Sequence, residues 1–228
     1  MATSDKPRTS PLALVTSFGP FGAFTDNPSE TVVALLKETH SSLGSDDKQF
    51  QLETHSFRVC YESVASEVEK LWSELKPDVA IHVGVGAPKG RILVERQAFG
   101  KGYCRLDVEG KVPPNNLCCA PDHCNSSPHE SVRCRQSKLD VDTLVEEVNA
   151  SLSDIDGCPL TVAVSDNPGR YLCGFLYYKS LCMAVDKCLF VHIPAIDHKA
   201  TTELQMRILW KILEGLLKQK TLREKSDS

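Results

Sequence analysis

The chain has 228 residues, room for one large domain or two small ones, and its 41% hydrophobic and 25% charged residues match an ordinary folded protein, not a fibrous or disordered one. A formal net charge of -4, from 26 Lys plus Arg against 30 Asp plus Glu, provides no basic excess for a phosphate backbone, so no nucleic-acid partner is expected. Ten cysteines allow five disulfides, yet a chain this long buries enough apolar surface to fold without them. Met1 to Ser10 is polar, and the first apolar run, Leu12 to Val15, is too short for a signal peptide or a membrane span. The expectation is a cytoplasmic protein, away from membranes, with reduced cysteines.

Short apolar runs alternate with amphipathic stretches, the pattern of an α/β domain. Leu12 to Ser17 reads as a buried strand. Asn27-Pro-Ser-Glu30 reads as a helix start, with Asn27 as cap, Pro28 in the first turn and Glu30 answering back to the cap. A second strand is expected near Phe50 to Val59 and a helix from about Glu62 to Leu75, ended by Pro77. Asp78 to Val85 is apolar on both faces and predicts a central strand. Arg91 to Glu95 is again extended. Periodicity then lapses from Gly100 to Ser137, which reads as an excursion. A helix (Asp140 to Leu152), a strand (Leu160 to Ser165), a helix from near Arg170, a strand (Leu189 to Ile193) and a helix (Thr201 to Leu217) complete the pattern. The expected fold is a single three-layer α/β/α domain over residues 11–218, with a mixed, mostly parallel central sheet and a loop insertion at about 107–137. Residues 1–10 are expected to be disordered and 219–228 to form a polar tail.

Ligands of open α/β sheets bind beyond strand carboxyl ends, so the residues following each strand carry the functional signal. Ser17-Phe-Gly-Pro-Phe-Gly22 lacks the lysine and spacing of a phosphate loop. Phe18 and Phe21 there either form an apolar slot for a flat, uncharged group or fold back into the core. Cys173 follows a strand and turn near a helix start, where the positive helix end favours a thiolate; inert burial is the alternative. His192 ends the next strand, 19 residues on, and reads either as a base beside that thiol or as a core histidine. Glu95, in an apolar run, either orients the imidazole or forms a surface pair with Arg91 or Arg96. Cys118, Cys119, Cys124 and Cys134 with His123 and His129 contain enough ligands for zinc, but the spacing is not that of paired knuckles.

Taken in order, Phe18-Gly-Pro-Phe-Gly22 with Asn27-Pro-Ser29, His82-Val-Gly84, Gly169-Arg-Tyr-Leu-Cys173 with Tyr177-Tyr178, and Val191-His-Ile-Pro194 resemble the pyroglutamyl-peptidase I family. The likeness spans about Leu14 to Leu216 and is greatest to the animal enzymes, which share Lys101-Gly-Tyr103. Many bacterial members carry Gln at the position of Val85, and the family's Asn five residues beyond the acid is Gly100 here. The resemblance implies a cysteine-type omega-peptidase that removes an N-terminal pyroglutamyl residue from small peptides through a thioester. It implies Cys173 as nucleophile, His192 as base and later acid, Glu95 as orienting carboxylate, Phe18 and Phe21 on the pyrrolidone ring, and Asn27 fixing the loop or binding the lactam. No metal and no cofactor is implied. Two other readings remain open at this level: a homologue that holds blocked N-termini without cleaving them, and a zinc-stabilised regulatory module. Monomer and tetramer are both compatible with the sequence.

Overall fold

The computed structural model describes residues 8, 10–22, 25–118, 134–155 and 157–226. In chain order its strands are β1 (Leu12–Phe18), β2 (Gln51–Phe57), β3 (Val79–Val85), β4 (Arg91–Glu95), β5 (Gln97–Phe99), β6 (Cys134–Gln136), β7 (Thr161–Ser165) and β8 (Cys188–Ile193). Its helices are α1 (Pro28–Ser42), α2 (Tyr61–Leu75), α3 (Val141–Ser151), α4 (Leu172–Met183) and α5 (Thr202–Ser226). Six strands form one sheet in the order β2-β1-β3-β8-β4-β7. Strands β2, β1, β3 and β8 are mutually parallel, while β4 pairs antiparallel with β8 and parallel with β7. This is the mixed, mostly parallel sheet expected from the sequence.

Alternation of side chains along each strand gives the two sheet faces separate cores. Ala13, Val15, Ile81, Val83, Val191 and Ile193 pack with residues of α1, α3 and α5. Leu14, Phe18, Ala80, Cys188 and Phe190 face α2 and α4. Strand β3 is buried on both faces, which explains an apolar run interrupted only by His82. Each large apolar side chain so buried contributes about 1.5–3 kcal/mol. The outer strand β7 is closed at one point by Asn149 of α3, whose amide donates to Val162 O at 2.7 Å and accepts from Val162 N at 2.9 Å. That removes a pairing site which an exposed sheet edge would otherwise present.

Helix α1 begins as expected: Asn27 accepts from Ser29 N at 3.0 Å and Pro28 occupies the first turn. Glu30 does not close a capping box; its Oε1 accepts from Ser56 Oγ at 2.7 Å instead. The excursion is more regular than its composition suggests, because β5 and β6 pair antiparallel across its ends. The last helix runs to Ser226, beyond the expected end at Leu217. Arg223 ties that extension down by donating to Lys138 O at 2.7 Å and Asp186 O at 3.2 Å, and Lys220 lies 2.7 Å from Glu224 one turn on. The expectation of a disordered N-terminus falls mostly outside the described residues. Arg8, which is described, donates to Leu75 O and Lys76 O at the end of α2.

Candidate active site

The carboxyl end of β3 is the floor of the site. Register pairs His82 with Phe190 and Gly84 with His192 across β3 and β8, and Leu93 with His192 across β8 and β4. Paired residues share a sheet face, so Gly84, His192 and Glu95 look toward α2 and α4. Cys173 is the second residue of α4, and its sulfur lies 2.9 Å from where a Cβ on Gly84 would sit. The thiol is therefore above the partner of His192.

This juxtaposition differs from the one the spacing suggested. A parallel crossover from the strand before Cys173 to the strand of His192 would place them side by side, but β4 separates β7 from β8 and runs opposite to β8. Cys173 meets His192 over β3 instead, because residues 166–171 and the first turn of α4 bring it there.

Glu95 is 0% exposed and its Oε1 accepts from His192 Nδ1–H at 2.8 Å. The pairing with Arg91 or Arg96 considered from sequence is not made: Arg96 pairs with Asp142 and Asp166, each at 3.3 Å. The Tyr177 hydroxyl donates to Glu95 O at 2.9 Å, and the other carboxylate oxygen, Oε2, is buried without a partner among the described residues. With Nδ1 engaged by Glu95, Nε2 of His192 is left for the thiol, which lies within hydrogen-bonding reach of the ring. Burial opposes the imidazolium, but the sulfur and the carboxylate outweigh it and raise His192 from 6.5 to about 9.

The turn carrying Cys173 depends on two glycines. Gly169 has φ +75°, a left-handed conformation that favours glycine. A Cβ on Gly174 would stand 2.2 Å from Gly169 O, a backbone atom that cannot rotate away. Gly174→Ala is therefore expected to cost about 2–4 kcal/mol and lower turnover at least ~100-fold. Urea unfolding and turnover measured together test this, and a variant of wild-type stability would show that the turn relaxes freely.

Asn27 caps α1 and Asp140 caps α3 through side-chain hydrogen bonds, whereas the cap residue Tyr171 makes none at α4, as Cys60 makes none at α2. The first amides of α4 thus keep the donor capacity that helix starts possess.

Phe18 and Phe21 fall on the same side of the sheet. Phe18 is 3% exposed with its ring 6.2 Å from that of Phe57, and Phe21 packs half-buried on the same cluster. Asn27 is fully buried, donates to Gly19 O at 2.9 Å and accepts from Ser29 Oγ at 2.9 Å, so it ties the Phe18 loop to α1.

Sequence reasoning left several groups around the site unassigned. Buried His82 lies 2.8 Å from Thr16 Oγ1 and 2.7 Å from Ser180 Oγ, and burial lowers it to about 3, so it stays neutral. Trp72 Nε1 donates to the same Ser180 hydroxyl at 3.2 Å. The only cue in the sequence was a histidine inside an apolar strand. A separate cavity of about 360 Å³ between α2, α4 and residues 107–118 is lined by Tyr61, Val112, Pro113, Leu117, Cys118 and Phe175, and Cys173, His192 and Glu95 do not border it. Of the loop's candidate zinc ligands, Cys119, His123, Cys124 and His129 fall outside the described residues. No cluster of three metal-binding side chains occurs among the described residues.

Fold and site together define an α/β domain that carries a thiol, an imidazole and a buried carboxylate in series at a strand end. Residues 9–197 match the family described as "Putative pyroglutamyl peptidase PgaPase_1". Pyroglutamyl-peptidase 1 of Homo sapiens is 32% identical over 204 residues, which cover 90% of this chain and 88% of that one. Pyrrolidone-carboxylate peptidase 2 of Caldanaerobacter subterraneus is 26% identical over 215 residues, covering 90% and 94%. A pyrrolidone carboxyl peptidase from Pyrococcus furiosus, solved as a mutant, has the same fold, with TM-score 0.73 and 22% identity over 91% of this chain and 99% of that one. The chain belongs to the pyroglutamyl peptidase family.

Proposed function

We propose that the protein is a cysteine-type omega-peptidase that hydrolyses the N-terminal pyroglutamyl residue from small peptides, with Cys173 as nucleophile, His192 as general base and acid, and Glu95 orienting the imidazole. The observation that carries this is the series of contacts from Glu95 Oε1 through Nδ1 of His192 to the Cys173 sulfur, set above Gly84. Membership of the family and the peptidase names of the relatives supply the substrate class.

The Cys173 sulfur attacks the pyroglutamyl carbonyl, and its thiol proton resides on His192. The tetrahedral oxyanion is met by amides at the start of α4, aided by the positive end of the helix. Collapse breaks the C–N bond as His192 protonates the leaving amine, and a thioester remains. Water, deprotonated by His192, then releases pyroglutamate and restores the thiol. These steps need no metal or cofactor. Phe18 and Phe21 are the proposed wall for the uncharged lactam, and Asn27 holds their loop. A charged N-terminus entering such an apolar slot would lose its hydration without a compensating partner, which disfavours ordinary peptides. A nucleophilic thiol must be kept reduced to react, which fits a cytoplasmic location.

The test is the release of a chromogenic amine from a pyroglutamyl amide and from a prolyl amide under reducing conditions. Turnover of the first alone is the expected result. Saturable binding of the pyroglutamyl amide without turnover would instead assign the protein to holding blocked N-termini.

A further inference from the structure

Two glycines at the end of β3 stand under the two halves of the thiol–imidazole pair. A Cβ at Gly84 would lie 2.9 Å from the Cys173 sulfur and 2.9 Å from Cζ of Phe190. A Cβ at Gly86 would lie 3.0 Å from Cδ2 and 3.4 Å from Nε2 of His192. Neither glycine has a positive φ, so backbone conformation does not call for glycine at either place. Glycine inside a strand costs roughly 0.5–1 kcal/mol relative to alanine, and Gly84 lies within β3. What the two positions share is contact with the reactive pair.

We propose that Gly84 and Gly86 are positioning residues for the reaction described above: Gly84 sets the depth of the Cys173 sulfur, and Gly86 sets the plane of the His192 ring. The proposal rests on that reading for its catalytic meaning. Its geometry does not depend on which substrate is cleaved.

The local packing determines what gives way when a methyl group is added. Phe190 is 0% exposed and its ring lies 4.7 Å from that of His192, so it has no room to retreat. Cys173 is only partly buried and turns about one side-chain bond, so the thiol rotates away from the imidazole. At position 86 the imidazole itself is pushed, which disturbs its alignment with Glu95 and with the sulfur. The titratable groups facing His192 are Glu95 from β4 and Cys173 from α4, with Tyr171 beside Cys173 at the start of that helix.

The experiment is carbamidomethylation of the intact protein with iodoacetamide at pH 6 and pH 9, with Cys173 located by mass spectrometry. Labelling at pH 6 reports how closely the sulfur sits against the imidazole, and Gly84→Ala is expected to slow it ~10-fold or more while changing the pH 9 rate less than ~3-fold. In Gly86→Ala the NMR titration of His192 is expected to move from about 9 toward 6.5. Wild-type labelling at both pH values in a folded Gly84→Ala, or an unmoved His192 titration in Gly86→Ala, overturns the proposal. If Gly84→Ala does not fold, Phe190→Leu is added; recovery of wild-type labelling at pH 6 in that double variant would mean the glycine serves Phe190 packing alone, and sink the idea. Continued slow labelling in it supports the proposal. Because labelling uses no substrate, a wild type labelled rapidly at pH 6 that hydrolyses no pyroglutamyl amide overturns the proposed function and leaves the roles of the glycines standing.

Discussion

Cys173→Ala is expected to abolish release of the amine from a pyroglutamyl amide, a loss of about 10⁵- to 10⁶-fold in kcat. In the proposed reaction the sulfur is the atom that bonds to the substrate carbonyl, and two other described thiols are held elsewhere: Cys118 turns to Phe175 O at 3.3 Å, and Cys188 is fully buried with its thiol bonded to Ala184 O. Removing a partly exposed sulfur costs less than ~1 kcal/mol of stability, so the variant remains folded and its binding of pyroglutamate is measurable. Cys182→Ala, on the same helix and away from the dyad, is the control, and its turnover is expected to stay within ~2-fold of wild type. Turnover in Cys173→Ala at a tenth of the wild-type rate would move the chemistry elsewhere. The same variant tests the thioester directly, since a rapid burst of amine release followed by slower turnover requires the sulfur.

How much of this could be read from residues alone depended on range. Asn27-Pro28 announces a helix start because capping is local, and the structure has that cap. The apolar run of β3 announces a central strand because burial on both faces leaves no polar alternation. Cys173, His192 and Glu95 were individually ambiguous, since each residue type is as much at home in packing or surface pairs as in chemistry. What brings them together is non-local: β8 enters between β3 and β4, and no residue pattern encodes that order. The spacing of 19 residues pointed to two side chains that do meet, but by a different route, because it assumed that β7 and β8 are parallel neighbours. Glu30 shows the same limit at short range. A capping box was open to it, and a hydroxyl from β2 took its carboxylate instead. The roles of Gly84 and Gly174 were invisible for a related reason, as a glycine needed for space looks like any other until the atoms above it are known.

Glu95→Gln separates orientation from charge and is expected to lower kcat/KM by about 10³- to 10⁴-fold, the scale on which serine triads respond to the same carboxylate-to-amide change. The amide keeps the size of the side chain and an oxygen 2.8 Å from Nδ1, but it withdraws the negative charge that, with the Cys173 sulfur, supports the imidazolium. His192 then falls from about 9 toward 6.5, since burial continues to oppose its charged form. Two pH measurements follow from that fall. The proposed reaction needs the protonated ring to donate to the leaving amine, so the wild-type alkaline limb near 9 is expected to move to lower pH in the variant. Stability carries the same signature: a histidine raised from 6.5 to about 9 by folding contributes stability that is fully present below 6.5 and is lost as pH rises through 9. The wild-type urea midpoint should therefore decline between those values, and that of Glu95→Gln should decline less. An alkaline limb and a stability profile that both stay in place would show that His192 draws its charge from Cys173 alone, and Glu95 would lose its assigned part in the reaction.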